Sequence, residues 1–70
     1  MSVYRVTDII GTSSKSWEDA AQVAASRAAK TLKGVRSLWV QDMSATVDAK
    51  GKINGYRVTC KVSFEVKDSM

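Results

Sequence analysis

The chain has 70 residues, 44% hydrophobic, with eleven basic and seven acidic side chains and a formal charge of +4. A domain this small buries only about 60% of its unfolded surface and needs extra support. One cysteine excludes an internal disulfide, and the lack of histidine and of C-x-x-C, H-E-x-x-H or EF-hand spacing leaves no self-contained metal site, so oligomerisation remains. The basic residues stand singly, with no aromatic-basic RNA motif or G-x-x-G loop, so no nucleic-acid partner is expected. No membrane partner is expected either, because no apolar stretch approaches spanning length and residues 1–6 lack a leader-like apolar core.

Residues 3–10 read as a first strand. Gly11-Thr12-Ser13-Ser14 then reads as a break that supplies hydroxyls for a helix N-cap. Glycine and hydroxyls before a helix could also hold an anion, but neither a P-loop lysine nor G-x-G-x-x-G accompanies them. Residues 16–32 form the one predicted helix. Trp17, Ala20, Ala21, Ala24, Ala28 and Leu32 recur at three- and four-residue spacing and make one apolar stripe. Glu18 and Asp19 at its start and Arg27, Lys30 and Lys33 at its end suit the helix dipole. Trp17 reads as core or subunit contact, and Gly34 as the C′ residue with positive φ.

The second predicted strand covers residues 35–47. Alternation puts Leu38 and Val40 on one face and Trp39, Gln41, Met43, Ala45 and Val47 on the other, so the apolar side changes near Asp42. A bulge would explain the change. A strand packed first on its own helix and then on a neighbouring subunit would explain it as well, and is the reading adopted. Two hairpin turns are candidates, Asp48-Ala49-Lys50-Gly51 and Asn54-Gly55, the latter the stronger dipeptide signal taken alone. The first is the expected turn because it keeps Val47 and Ile53 as flanking residues, with Gly51 left-handed and Gly55 at a bulge. In residues 56–66, Tyr56, Val58, Cys60, Val62, Phe64 and Val66 alternate strictly with Arg57, Thr59, Lys61, Ser63 and Glu65. That pattern marks a long half-buried strand, and a helix crossover followed by a hairpin places it centrally, in order 1-3-2. The expected fold is α+β: a β-α-β-β unit, one domain over residues 1–70, with a helix on one face of a three-stranded antiparallel sheet. The lone Cys60 on an apolar face fits a reducing cytoplasm. It should be inert there, and no nucleophile–base pair exists, so no enzyme is expected.

Several segments together carry a family likeness: Val3-Tyr4-Arg5-Val6 running into Asp8-Ile9-Ile10-Gly11-Thr12-Ser13, then Ala28-Ala29-Lys30-Thr31-Leu32, then Tyr56-Arg57-Val58 through Val62-Ser63-Phe64. In this order they resemble the dodecins, β-α-β-β proteins that assemble as hollow homododecamers. Ser16-Trp17-Glu18-Asp19-Ala20-Ala21 is most similar to the calcium dodecin branch. The resemblance implies storage of a flavin (riboflavin or FMN), its ring stacked on a second-strand tryptophan and gripped by a third-strand glutamine. Those positions are Ser37 and Arg57 in this chain. Serine supplies no stacking, and guanidinium donates hydrogen bonds without accepting them. Trp39 lies two residues beyond Ser37, about 6.8 Å along a strand. Ser37, Trp39, Gln41 and Arg57 are the candidate contacts for a flavin-like ligand, with burial between subunits the alternative for Trp39. The likeness also raises calcium or magnesium, since one carboxylate per subunit becomes several at a symmetry axis. Glu18, Asp19, Asp42, Asp48 and Glu65 have suitable chemistry, and nothing in one chain ranks them. The expected function is non-enzymatic small-molecule storage in a self-assembled shell. The alternatives are a divalent-metal dodecin that has lost flavin binding and a ligand-free structural shell.

Overall fold

Alternation in the C-terminal strand decides the sheet. The computed structural model describes residues 3–66, arranged as β1 (Val3–Ser13), α1 (Trp17–Thr31), β2 (Val35–Val47) and β3 (Ile53–Val66). β3 lies between β1 and β2 and is antiparallel to both, giving the order β1-β3-β2. Its even-numbered side chains from Val58 to Val62 are buried beneath α1, and its odd-numbered ones line the opposite, outer face. Ala20, Ala24, Val58 and Cys60 form the core, with Ile9, Trp17, Ala21 and Leu38 packed against it. Alanines at the contact let the helix axis come close to the strands, and they favour helix as well.

Ser16 caps the helix, its side chain accepting from the Asp19 N–H at 2.9 Å. Ser13 Oγ donates to Asp19 Oδ2 at 2.6 Å, which ties the end of β1 to the first helical turn. Leu32 is the C-cap, and Gly34 has φ +76°, so the left-handed residue falls one position later than C′. The Gly34 carbonyl accepts from the Glu65 N–H at 3.0 Å, anchoring this connection to β3.

Two of the expected strands need correction. β1 does not stop at Ile10 but runs through Gly11, Thr12 and Ser13, paired with Val58, Arg57 and Tyr56. Gly11 is there for closeness: an added Cβ would lie 2.3 Å from the Ala20 carbonyl oxygen and 2.9 Å from Ala24 Cβ. The second correction concerns β2. Its register slips between Val40 and Asp42, so Gln41 is a bulged residue. The slip returns Met43 and Ala45 to the helix-side face with Leu38 and Val40, opposite Val58 and Tyr56. The change of apolar side near Asp42 is therefore the work of a bulge, and Met43 and Ala45 do not share a face with Trp39.

The hairpin turn is at Asp48–Gly51. The Gly51 N–H donates to the Asp48 carbonyl at 2.9 Å, and Asp48 Oδ1 accepts from the N–H groups of Lys50 and Lys52. Gly51 has φ +81°. Thr46 pairs with Gly55 and Val47 with Ile53, which leaves Asn54 as the extra residue, next to the expected Gly55.

Candidate functional site

Cross-strand partners share a face, so the register fixes the composition of the outer face. β1 contributes Tyr4, Val6, Asp8, Ile10 and Thr12; β3 contributes Arg57, Thr59, Lys61, Ser63 and Glu65; β2 contributes Ser37, Trp39, Asp42, Ser44 and Thr46. Much of it is apolar and uncovered: Ile10 is 55%, Val6 51%, Tyr4 50% and Trp39 46% exposed.

Ser37 and Trp39 do lie together on this face. Ser37 Oγ shares a hydrogen bond with Ser63 Oγ, and Trp39 stands opposite Lys61. Lys61 Nζ in turn reaches Asp8 Oδ1 at 2.8 Å. That pair is largely solvated, and such pairs contribute about 0–1 kcal/mol. Gln41 is set apart at the bulge. Arg57 is four residues from Lys61 along β3, about 13 Å, and is flanked by Thr12 on β1 and Ser44 on β2. Thus, within one chain, the four candidate residues fall into a Ser37–Trp39 pair, Gln41 apart at the bulge and a distant Arg57, not one cluster.

Arg57 belongs to a different feature, an open cleft of about 710 Å³ at the hairpin end of the sheet. Ile10, Thr12, Thr46, Asn54 and Arg57 help to line it. Thr46 Oγ1 donates to Asn54 Oδ1 at 2.7 Å. Sequence reading found Arg57 but not its companions. The visible signals are the hydroxyl-rich run after Gly11, which reads as a strand break and helix cap, and Gly55, which reads as a bulge. Trp17 closes the helix-side face of the same end: its ring meets Tyr56 edge-on at 4.9 Å, and Nε1 donates to the Ser44 carbonyl at 2.8 Å.

The five candidate carboxylates are dispersed. Asp19 accepts from Ser13, Asp48 organises the turn, and Glu65 pairs with Arg36 at 3.0 Å. Glu18 and Asp42 make no ion pair among the described residues, and no three metal-ligating side chains of one chain gather there. The described residues of one chain by themselves therefore do not fit a calcium or magnesium ion. Cys60 is fully buried and free, and desolvation raises its thiol pKa. No helix among the described residues is long and apolar enough to cross a membrane.

The Dodecin family model matches residues 3–67. Calcium dodecin of Mycobacterium tuberculosis is 46% identical over 67 residues, 96% of this chain and 93% of that protein. Dodecin of Thermus thermophilus is 31% identical over 67 residues, 96% of each. A crystal structure of a T. thermophilus dodecin variant superposes with TM-score 0.88 at 31% identity, covering 97% of this chain and all of that one. The crystal structure of the M. tuberculosis calcium dodecin, described as a calcium-chelating antigen with a novel calcium-binding site, gives TM-score 0.80 at 44% identity over 97% of this chain and 96% of that one. Shared sequence and shared β1-β3-β2 architecture over nearly the whole length lead to one conclusion: this chain belongs to the dodecin family.

Proposed function

We propose that the chain is a non-enzymatic binding protein that works as a self-assembled shell, and that the shell holds a divalent cation, calcium first, between copies. Support for assembly comes from the isolated chain's surface. It exposes 5447 Å², against about 4,300 Å² for a compact monomer of this mass. Its radius of gyration is 14.7 Å, against about 11 Å for 70 compact residues. Copies closing over Tyr4, Val6, Ile10 and Trp39 would remove apolar surface that no element of the chain covers.

The observation that carries a cation over a flavin is Ser37. The family likeness assigns that position to the stacking ring, and here a small hydroxyl is tied to Ser63 instead. Arg57, at the gripping position, donates hydrogen bonds without accepting them and so does not replace the glutamine. The 46% identity to calcium dodecin points the same way. Because the described residues of one chain gather no ligand set, the cation would take oxygens from several copies, with Glu18 and Asp42 free of ion pairs among the described residues. A reducing cytoplasm belongs to the same reading, since Cys60 is buried as a free thiol.

A second reading keeps a flavin or related flat aromatic on the outer face, and the exposed Trp39 ring favours it. Equilibrium dialysis against calcium and a riboflavin fluorescence titration on one preparation separate the two. The cation reading expects saturable calcium uptake at fewer than one ion per chain, with riboflavin fluorescence unquenched at tens of micromolar protein. No calcium uptake at millimolar concentration overturns it, and saturable quenching moves the assignment to flavin.

A further inference from the structure

We propose that the groove around the C-terminal end of α1 binds a linear inorganic polyphosphate chain. It lies at the end of the sheet away from the hairpin, apart from the Ser37–Trp39 pair and from Arg57. Residues 20–41 carry four basic side chains, Arg27, Lys30, Lys33 and Arg36, and no carboxylate. They stand singly in the sequence, and the fold gathers them. Three clefts, of about 240, 420 and 560 Å³, adjoin one another there. Arg27 lines the first, and Thr31 and Leu32 join it to the second, which holds Lys30 and Lys33. Lys33 and Gly34 then join the second to the third, which holds Arg36. One continuous groove therefore passes all four cations.

All four are exposed. Arg27, Lys30 and Lys33 make no ion pair among the described residues, and Glu65, bonded to Arg36, is the one described carboxylate that lines any of the three clefts. The helix dipole explains a cation in the last turn, such as Lys30. It does not explain Lys33 and Arg36, which lie beyond the helix. Carbonyls left open at a helix end would oppose an anion. Here Thr31 Oγ1 lies 3.4 Å from both the Arg27 and Ala28 carbonyls, and the Leu32 N–H donates to the Ala28 carbonyl at 2.8 Å, so both are covered.

Cations spaced along a groove fit a ligand whose charge is spaced along a chain. No aromatic side chain lines the clefts, so nothing is there to stack a nucleobase. That favours polyphosphate over single-stranded nucleic acid. The groove lies within one chain. Its repetition rests on the proposed assembly, which closes over the outer sheet face and leaves α1 facing away, so that one long polyphosphate engages several copies at once.

The test is calorimetric titration of the protein, as purified and in EGTA so that calcium cannot bridge, with long-chain polyphosphate. The groove predicts saturable binding that weakens as salt is raised, with orthophosphate at least about tenfold weaker. Single-stranded DNA of matched charge should also bind more weakly. Lys30→Gln combined with Lys33→Gln should lower polyphosphate affinity at least about tenfold. Lys50→Gln combined with Lys52→Gln removes the same charge at the hairpin turn, where only the main-chain N–H groups bond to Asp48, and should leave affinity within about twofold. Absence of polyphosphate binding at millimolar phosphate, equal losses in the two double variants, or equal affinity for the DNA overturns the assignment. The ligand comparisons need no variant, so they stand even if a substitution alters folding. A monomer that binds polyphosphate supports the groove and contradicts the assembly, and a dodecamer that does not bind it does the reverse.

Discussion

Gly11→Ala tests the packing on which the whole outer face depends. The new methyl would sit 2.3 Å from the Ala20 carbonyl oxygen, where ordinary contact begins at 3.4 Å. The helix must therefore retreat by about 1 Å, and a gap of that size forfeits up to about half of each dispersion contact it opens. The obstacle is helix backbone, which cannot swing aside as a flexible side chain could. Overpacking of this kind costs about 1–3 kcal/mol, and a backbone clash belongs at the upper end. Alanine returns about 0.4–1 kcal/mol through the unfolded chain, leaving a net loss of roughly 2–3 kcal/mol. For a chain of this size that lowers Tm by about 10–20 °C. Gly51→Ala is the internal control, because Gly51 has φ +81° and open space around it. Its cost is backbone strain alone, about 1–2 kcal/mol before the same offset. Thermal unfolding followed by circular dichroism should be run at one fixed subunit concentration, since assembly makes Tm concentration-dependent. A Gly11→Ala Tm that matches the parent, or falls less than that of Gly51→Ala, would refute the close-approach argument.

Cys60 should resist a thiol reagent such as DTNB in the native protein and react fully in guanidinium, because it is buried with a raised pKa. The same shift sets a sign: the native thiol stays protonated where the unfolded one ionises. Its contribution is present below the ordinary thiol pKa and is lost as pH rises through the native value. The stability gap between the parent and Cys60→Ala should therefore narrow at alkaline pH, and denaturant titrations that show it widening would contradict the shift. Trp17→Phe keeps a ring near Tyr56 but removes the Nε1 donor to Ser44. A loss of about 1 kcal/mol is expected, and an unchanged urea midpoint would remove that bond from the account.

Much of the architecture was legible because it rests on local chemistry. Strict alternation marked β3, the Asp48–Gly51 turn marked the hairpin, and the alanine stripe marked the buried side of α1. The end of β1 was not legible. Gly11 and the hydroxyls after it have turn-forming propensity, and tertiary packing against Ala20 and Ala24 overrides it. Nor was the face change in β2, since one bulged residue at Gln41 inverts every later side chain. The candidate site shows the same division. That Ser37 and Trp39 share a face followed from their spacing. That Arg57 lies in a separate cleft with Thr12, Thr46 and Asn54 depends on three strands in register and on two bulges, which no single stretch of sequence contains.

Native mass spectrometry at micromolar concentration tests the central claim of a self-assembled shell most directly. The account predicts a dominant species of roughly twelve times the 7.6 kDa chain mass. A monomer or dimer would contradict it, because the uncovered apolar face of the sheet would then have no partner.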